Sequence, residues 1–268
     1  MIPLDRRAAT AGLLALWSGA AVGQPAGPEA ARLLAPGGRL RAAINTGNVV
    51  LAGRHVSGEL VGVSVDLARE LAGQLGLPLD LVPFDTAGKV TATAGSDVWD
   101  VAFLAIDPVR AKEISFTPPY VVIEGTYLVP EGSPLRTVAD VDRDGVRVAV
   151  GRGSAYDLFL TRAVRHAVLV GAETSEAAIR LFVEDRLEAV AGVRQALVRF
   201  AEGTSGYRVI PGRFTAIEQA MGLPRARDAA SATLRGFVEG MKASGFVAAA
   251  LTQQRQPDAS VAPPAGAP

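Results

Sequence analysis

The chain has 268 residues, with 27 Lys and Arg against 27 Asp and Glu, so its formal net charge is zero. That balance gives no electrostatic basis for binding nucleic acid or an anionic membrane surface, while 49% hydrophobic residues supply enough apolar surface for one or two cores. Cysteine is absent, which excludes disulfides, thiolate metal sites and thiol nucleophiles, and the two histidines, His55 and His166, have no metal-ligand spacing around them.

The first residues read as a targeting segment. Asp5-Arg6-Arg7 precedes an apolar run from Ala8 to Val22, and Ala21-Val22-Gly23 is a small-x-small cleavage pattern. The run is short for a bilayer span. Residues 1–23 are therefore expected to be a cleaved signal peptide, with the mature protein exported to the periplasm. Arg6-Arg7 leaves the twin-arginine route open beside the general one.

Beyond a Pro/Gly-rich lead-in, Arg39 to Ile44 predicts a first strand, ending in the polar turn Asn45-Thr46-Gly47-Asn48. Ser64 is the expected cap of a helix in which Leu67, Ala68, Leu71, Ala72 and Leu75 share one face, with Gly76 and Pro78 as stop signals. Leu79 to Pro83 predicts a strand and Lys89 to Ala94 a helix. Asp100 to Ile106 is apolar almost without break, as expected for a parallel strand covered on both faces. Asp107-Pro108 ends it with a cap and a residue suited to a first helical position. This places Arg110 near the carboxyl end of a sheet strand, where open α/β folds bind ligands and where a guanidinium suits bidentate capture of a carboxylate.

Tyr120 to Pro130 predicts a long extended crossing segment. A second set of alternating elements follows: a strand at Gly145 to Val150, a helix capped by Ser154 with Asp157, then strand, helix, strand and helix to Glu202. Tyr207 to Pro211 is a further strand, and Phe214 to Gly222 a second crossing. Two helices complete the pattern, Ala226 to Ala243 and Gly245 to Gln254. The Pro/Ala-rich tail 256–268 is expected to be disordered. Two βα sets joined by two crossings predict an α/β protein of two lobes with a cleft between them. The first lobe is expected to be discontinuous, 36–126 and 216–255, and the second to span 127–215.

Four stretches resemble the polar-amino-acid family of bacterial extracellular solute-binding proteins. Gly58-Glu59-Leu60-Val61-Gly62-Val63-Ser64-Val65-Asp66-Leu67-Ala68 resembles the family's G-x-x-x-G-F-D-V-D-L-A block. Trp99-Asp100-Val101-Ala102 with Asp107-Pro108-Val109-Arg110 resembles its Y-D-v-i…T-P-E-R segment. Ile114 to Tyr120 resembles v-d-F-S-x-P-Y, and Val146 to Ser154 resembles the segment before the second-lobe helix. The resemblance covers nearly all of the mature chain. It implies a type II periplasmic binding protein fold, two crossing strands as hinge, no cofactor, and a monomer. The implied partners are a small carboxylate-bearing ligand and an ABC permease in the inner membrane.

By position, the resemblance assigns Arg110 to the ligand carboxylate. Ala102, Phe103 and Ala105 fall at strand-end contacts. Ser154 and Ala155 fall at a helix N-terminus whose free N–H groups hold the same carboxylate. Asn45 and Asn48 occupy the turn where the family often carries a covering aromatic, and Tyr156 lies at the cleft edge. Lys89 and Arg194 are further cationic candidates. Where the family carries an acid for the ligand ammonium, this chain has Val193. A buried ammonium without a carboxylate partner costs several kcal/mol, so a small organic anion fits better than an α-amino acid. Glu218 on the second crossing is the alternative source of a negative partner. The competing reading is a cyclohexadienyl-dehydratase-like enzyme on the same scaffold, with Glu218 or Glu124 as acid. A soluble sensor for a membrane receptor is a third.

Overall fold

A computed structural model of the chain describes residues 28–266, so the expected signal peptide lies outside the described residues. In chain order the first elements are α1 (Pro28–Leu34), β1 (Leu40–Asn45), β2 (Gly53–Arg54), β3 (Leu60–Val61), α2 (Val63–Leu75), β4 (Leu79–Phe84), α3 (Ala87–Ala92) and β5 (Val101–Ala105). The long strand β6 (Ile114–Pro130) leads out of this group. Next come β7 (Arg147–Gly151), α4 (Ala155–Ala163), β8 (Val168–Ala172), α5 (Ser175–Glu184), β9 (Ala189–Val193), α6 (Arg194–Gly203) and β10 (Tyr207–Val209). The strand β11 (Thr215–Pro224) returns, followed by α7 (Ser231–Ala243), α8 (Phe246–Gln253) and β12 (Ser260–Val261).

Eight strands follow one path, β4-β1-β5-β11-β6-β9-β7-β8, with β10 and β12 also paired to β6, and β2 and β3 form a separate two-stranded sheet. Strands β4, β1 and β5 are parallel, as are β9, β7 and β8. Between these groups β11 and β6 run antiparallel from Thr215↔Gly125 to Pro224↔Ile114, with register shifts near Gln219 and Ala220. The protein has a two-lobed, type II periplasmic binding protein fold, and these two strands are its crossings.

Alternation of side chains builds two apolar layers in each lobe. In the first, Ala42 and Ile44 of β1 and Phe103 of β5 face one cluster. Ala43, Ala102 and Leu104 face the other, where Trp99 is buried. In the second lobe Val148 and Val150 face one side and Ala149 the other. Complete burial of each Leu or Phe in these layers contributes about 1.5–3 kcal/mol.

Three expectations shift. Helix α2 starts at Gly62 rather than Ser64. Gly62 has φ 121°, and a Cβ there would stand 2.4 Å from the Leu51 carbonyl oxygen, so only glycine fits. Ser64 is instead buried in the first turn, its hydroxyl 3.3 Å from that of Tyr120. The first crossing begins at Ile114, because β11 pairs with it down to Pro224. The tail is not disordered over its described length. Ser260 and Val261 pair with Val122 and Val121, and the Ala262 amide donates to the Tyr120 carbonyl at 3.0 Å. Edge pairing there depends on a partner strand distant in sequence, which composition does not reveal.

One buried carboxylate ties the first lobe together. Asp100, 1% exposed, accepts from the Arg41 amide at 2.8 Å and from Arg41 Nε at 3.0 Å, and its other oxygen accepts from Arg41 Nη2 at 2.8 Å and from Arg227. Burial opposes ionisation of Asp100, but the hydrogen bonds from Arg41 and Arg227 prevail and hold its carboxyl below the usual range. This stability is therefore complete above about pH 4 and is lost as pH falls further. Asp100→Ala leaves Arg227 and Arg41 without their buried partner and is expected to cost about 3–5 kcal/mol in urea unfolding. It should also flatten the acid limb of the stability–pH curve.

Candidate functional site

The cleft lies where strand carboxyl ends from both lobes meet, the expected ligand position in open α/β sheets. Asn45 ends β1, Ala105 ends β5, Gly151 ends β7 and Val193 ends β9; Ile217 and Gln219 reach in from β11. The space between them is about 50 Å³. Helices α4 and α5 begin at its wall. Ser154 caps α4 by accepting from the Asp157 amide at 3.1 Å. Thr174 caps α5 by accepting from the Ala177 amide at 3.0 Å.

Arg110 occupies the centre. Asp107 sets it by accepting from the Val109 amide at 2.8 Å, which starts a 3-10 turn at Arg110–Lys112. The Arg110 side chain is 1% exposed. Its Nη1 donates to the Ala105 carbonyl at 2.8 Å, and its Nη2 crosses the cleft to the Gly153 carbonyl at 2.9 Å. Its Nε is buried without a partner. Asp107, whose charge acts on Arg110, gives an oxygen to Arg162 Nη2 at 2.7 Å instead. Burial lowers the Arg110 guanidinium to about 10, with the Asp107 charge opposing, so the group remains charged at neutral pH. A buried cation with only neutral oxygens as partners attracts an anion.

The lobes touch around it. Gly153 has φ +70°, and a Cβ there would lie 3.1 Å from Gly88 Cα. Any side chain at Gly153 would hold the lobes apart as well as strain the turn.

Of the expected site residues, Arg110, Ala105, Asn45, Asn48, Ser154, Ala155 and Tyr156 line this one space. Asn45 Oδ1 accepts from the Gly47 amide at 3.1 Å, which shapes the turn. Tyr156 is buried and donates to Ser175 Oγ at 2.7 Å. Burial pushes its phenol up, opposed by its hydrogen bonding with Ser175 and Ser154.

Five expectations need correction. Ala102 and Phe103 lie too deep in β5: their backbones pair with Gly222 and Met221, and Phe103 packs edge-on against Tyr120. Lys89 faces outward, bonded to Asp85 Oδ2 at 2.7 Å. Arg194 turns to the hinge and donates to Glu124 at 2.7 Å. Glu218 is exposed, because strand alternation aims its neighbours Ile217 and Gln219 inward. Glu124 is held by Arg194 and by Arg213 at 3.0 Å. Both acids named for an enzymatic role thus lie outside the cleft.

Gln219, Ile217, Ser175, Asp85, Thr86, Ala87 and Gly151 were missed. Gln219 is 4% exposed and starts the buried end of β11, followed by Ala220, Met221, Gly222 and Leu223. A buried amide at that parity on a crossing strand was the readable signal.

The family model of bacterial extracellular solute-binding proteins, family 3, matches residues 40–253. No curated protein matches the chain at the sequence level. Among solved structures, the solute receptor for L-cysteine of Neisseria gonorrhoeae is 20% identical, with a TM-score of 0.74 over 85% of this chain and 94% of that one. Holo ArgBP from T. maritima is 20% identical, with a TM-score of 0.68 over 77% and 92%. The ancestral amino-acid-binding protein AncCDT-1, a precursor of cyclohexadienyl dehydratase, is 20% identical, with a TM-score of 0.71 over 84% and 98%. With the family model spanning both lobes and the cleft between them, the chain belongs to the bacterial extracellular solute-binding proteins, family 3.

Proposed function

We propose that the protein captures a small carboxylate-bearing solute between its lobes, in the periplasm, and delivers it to an ABC permease as a monomer. Arg110 carries this reading. Its five N–H donors are matched by two carbonyl acceptors, leaving a fork of free donors on a buried cation. A carboxylate supplies the missing charge and the missing acceptors together. The N-termini of α4 and α5 add partial positive charge from the second lobe.

The same contacts explain closure. Arg110 reaches Gly153 across the cleft, and Arg162 reaches the nearly buried Asp107. Lys89 Nζ lies 4.0 Å from a Glu173 oxygen. A ligand bound to Arg110 and to the α4 N-terminus at once favours the closed state by its extra contacts there. A permease then recognises the closed form. Neither acid named for the enzyme alternative lines the cleft, since Glu218 is exposed and Glu124 is held by Arg194 and Arg213.

In a thermal-shift screen of amino acids and organic acids, a true ligand at about 100 times its Kd should stabilise the protein by about 2.7 kcal/mol. Arg110→Ala is expected to abolish that shift, and Arg110→Lys to weaken it at least about tenfold, because a point charge cannot reproduce the planar fork. Stabilisation unchanged in both variants would overturn the reading. Arg162→Ala removes a contact that exists only with the lobes together. Binding is expected to weaken roughly threefold to tenfold, about 0.7–1.4 kcal/mol, with the loss in a faster off-rate by stopped flow.

A further inference from the structure

We infer that the solute is a small carboxylate without an ammonium group: a 2-hydroxy or 2-oxo acid. The inference rests on the carboxylate reading of Arg110 and adds the rest of the ligand to it.

Charge is the first observation. Three ionised side chains line the space, Asp85, Arg110 and Arg152. Asp85 is half-exposed at the mouth and already paired with Lys89. Arg152 lies outward against Gly171. The buried interior therefore holds one uncompensated charge, that of Arg110. A monoanion neutralises it. A zwitterion neutralises it and then buries a second cation beside Val193, Ile217 and Ala155, none of which can accept a hydrogen bond from its side chain. The N-termini of α4 and α5, facing the same space, make a second cation less favourable still.

Polarity is the second observation. Gln219 is buried and Asn45 half-buried, both in the lining, and Tyr156 and Ser175 present bonded hydroxyls. Neutral amides and hydroxyls match a hydroxyl or carbonyl beside the carboxylate, which gives and takes hydrogen bonds without carrying charge.

Size is the third. The space beside Arg110 is about 50 Å³, against about 150 Å³ for a cavity that admits benzene. A further 30 Å³ lies behind Gly47, Asn48 and Val193, floored by Ile179, Ala191 and Leu197. That floor suits a methyl or ethyl group; the wider opening of about 410 Å³ beyond it carries its acids, Asp85 and Glu176, toward solvent rather than beside Arg110.

The test is titration calorimetry of the mature protein against matched acids: glycolate with glycine, lactate and pyruvate with alanine, 2-hydroxybutyrate and 2-oxobutyrate with 2-aminobutyrate. At least one hydroxy or oxo acid is expected to bind more than tenfold tighter than its amino partner. Val193→Asp, which places a carboxylate in the lining, is expected to reverse that order. An amino acid within tenfold of its matched acid overturns the inference and leaves carboxylate capture standing. Heat-silent titration by every acid and amino acid at 10 mM overturns both. Binding of the preferred acid unchanged in Arg110→Lys places it away from Arg110 and also overturns both.

Discussion

The cleft depends on one arrangement: a guanidinium buried without an acid. Burying an unpaired charge is expensive, so its surroundings must hold it in place. Asp107 does so indirectly. It caps the turn that aims Arg110 and then turns its own charge to Arg162. The two carbonyls that do bind Arg110 come from different lobes, Ala105 from the first and Gly153 from the second. The site therefore exists in full only when the lobes meet. In the proposed function, recognition and closure share the same hydrogen bonds.

That coupling has a scaffold. Strands β6 and β11 are the sole crossings among the described elements, and they pair with each other along most of their length. Bending two adjacent strands changes few ladder bonds, whereas each lobe is locked by two apolar layers and, in the first, by Asp100 between two arginines. Each lobe is thus held as a body, as the proposed closure requires. Glu124, with Arg194 and Arg213, sits at the crossing itself, where its charges hold chain segments of the hinge rather than ligand. In the proposed closure, the balance between open and closed forms rests on a few interlobe contacts, and a ligand shifts it only by contacts made in the closed form.

Much of this was legible in the chain. Unbroken apolar strands, 3.6-residue helix periodicity and two extended crossings led to the fold, because buried parallel strands and amphipathic helices leave distinct patterns. Arg110 and Ser154 were legible because each follows a strand by a short, fixed turn, so sequence distance is nearly spatial distance. Failures cluster where that relation breaks. Ala102 and Phe103 stood on the right strand at the wrong depth. Glu218 stood on the right crossing at the wrong parity, one residue from Gln219. Lys89 and Arg194 had the right charge, but each met a nearer carboxylate first, Asp85 and Glu124.

By itself the sequence determined the architecture, the place of the cleft arginine Arg110 and the absence of an acid at Val193, since all three depend on local pattern and on residue identity. Tertiary structure alone decided which polar groups share the cleft and which are spent elsewhere. It also decided that the tail closes the sheet edge through Ser260 and Val261. The reason is geometric. Strand register, side-chain parity and the choice among competing ion-pair partners are fixed by contacts between residues far apart in the chain, and no local pattern encodes them.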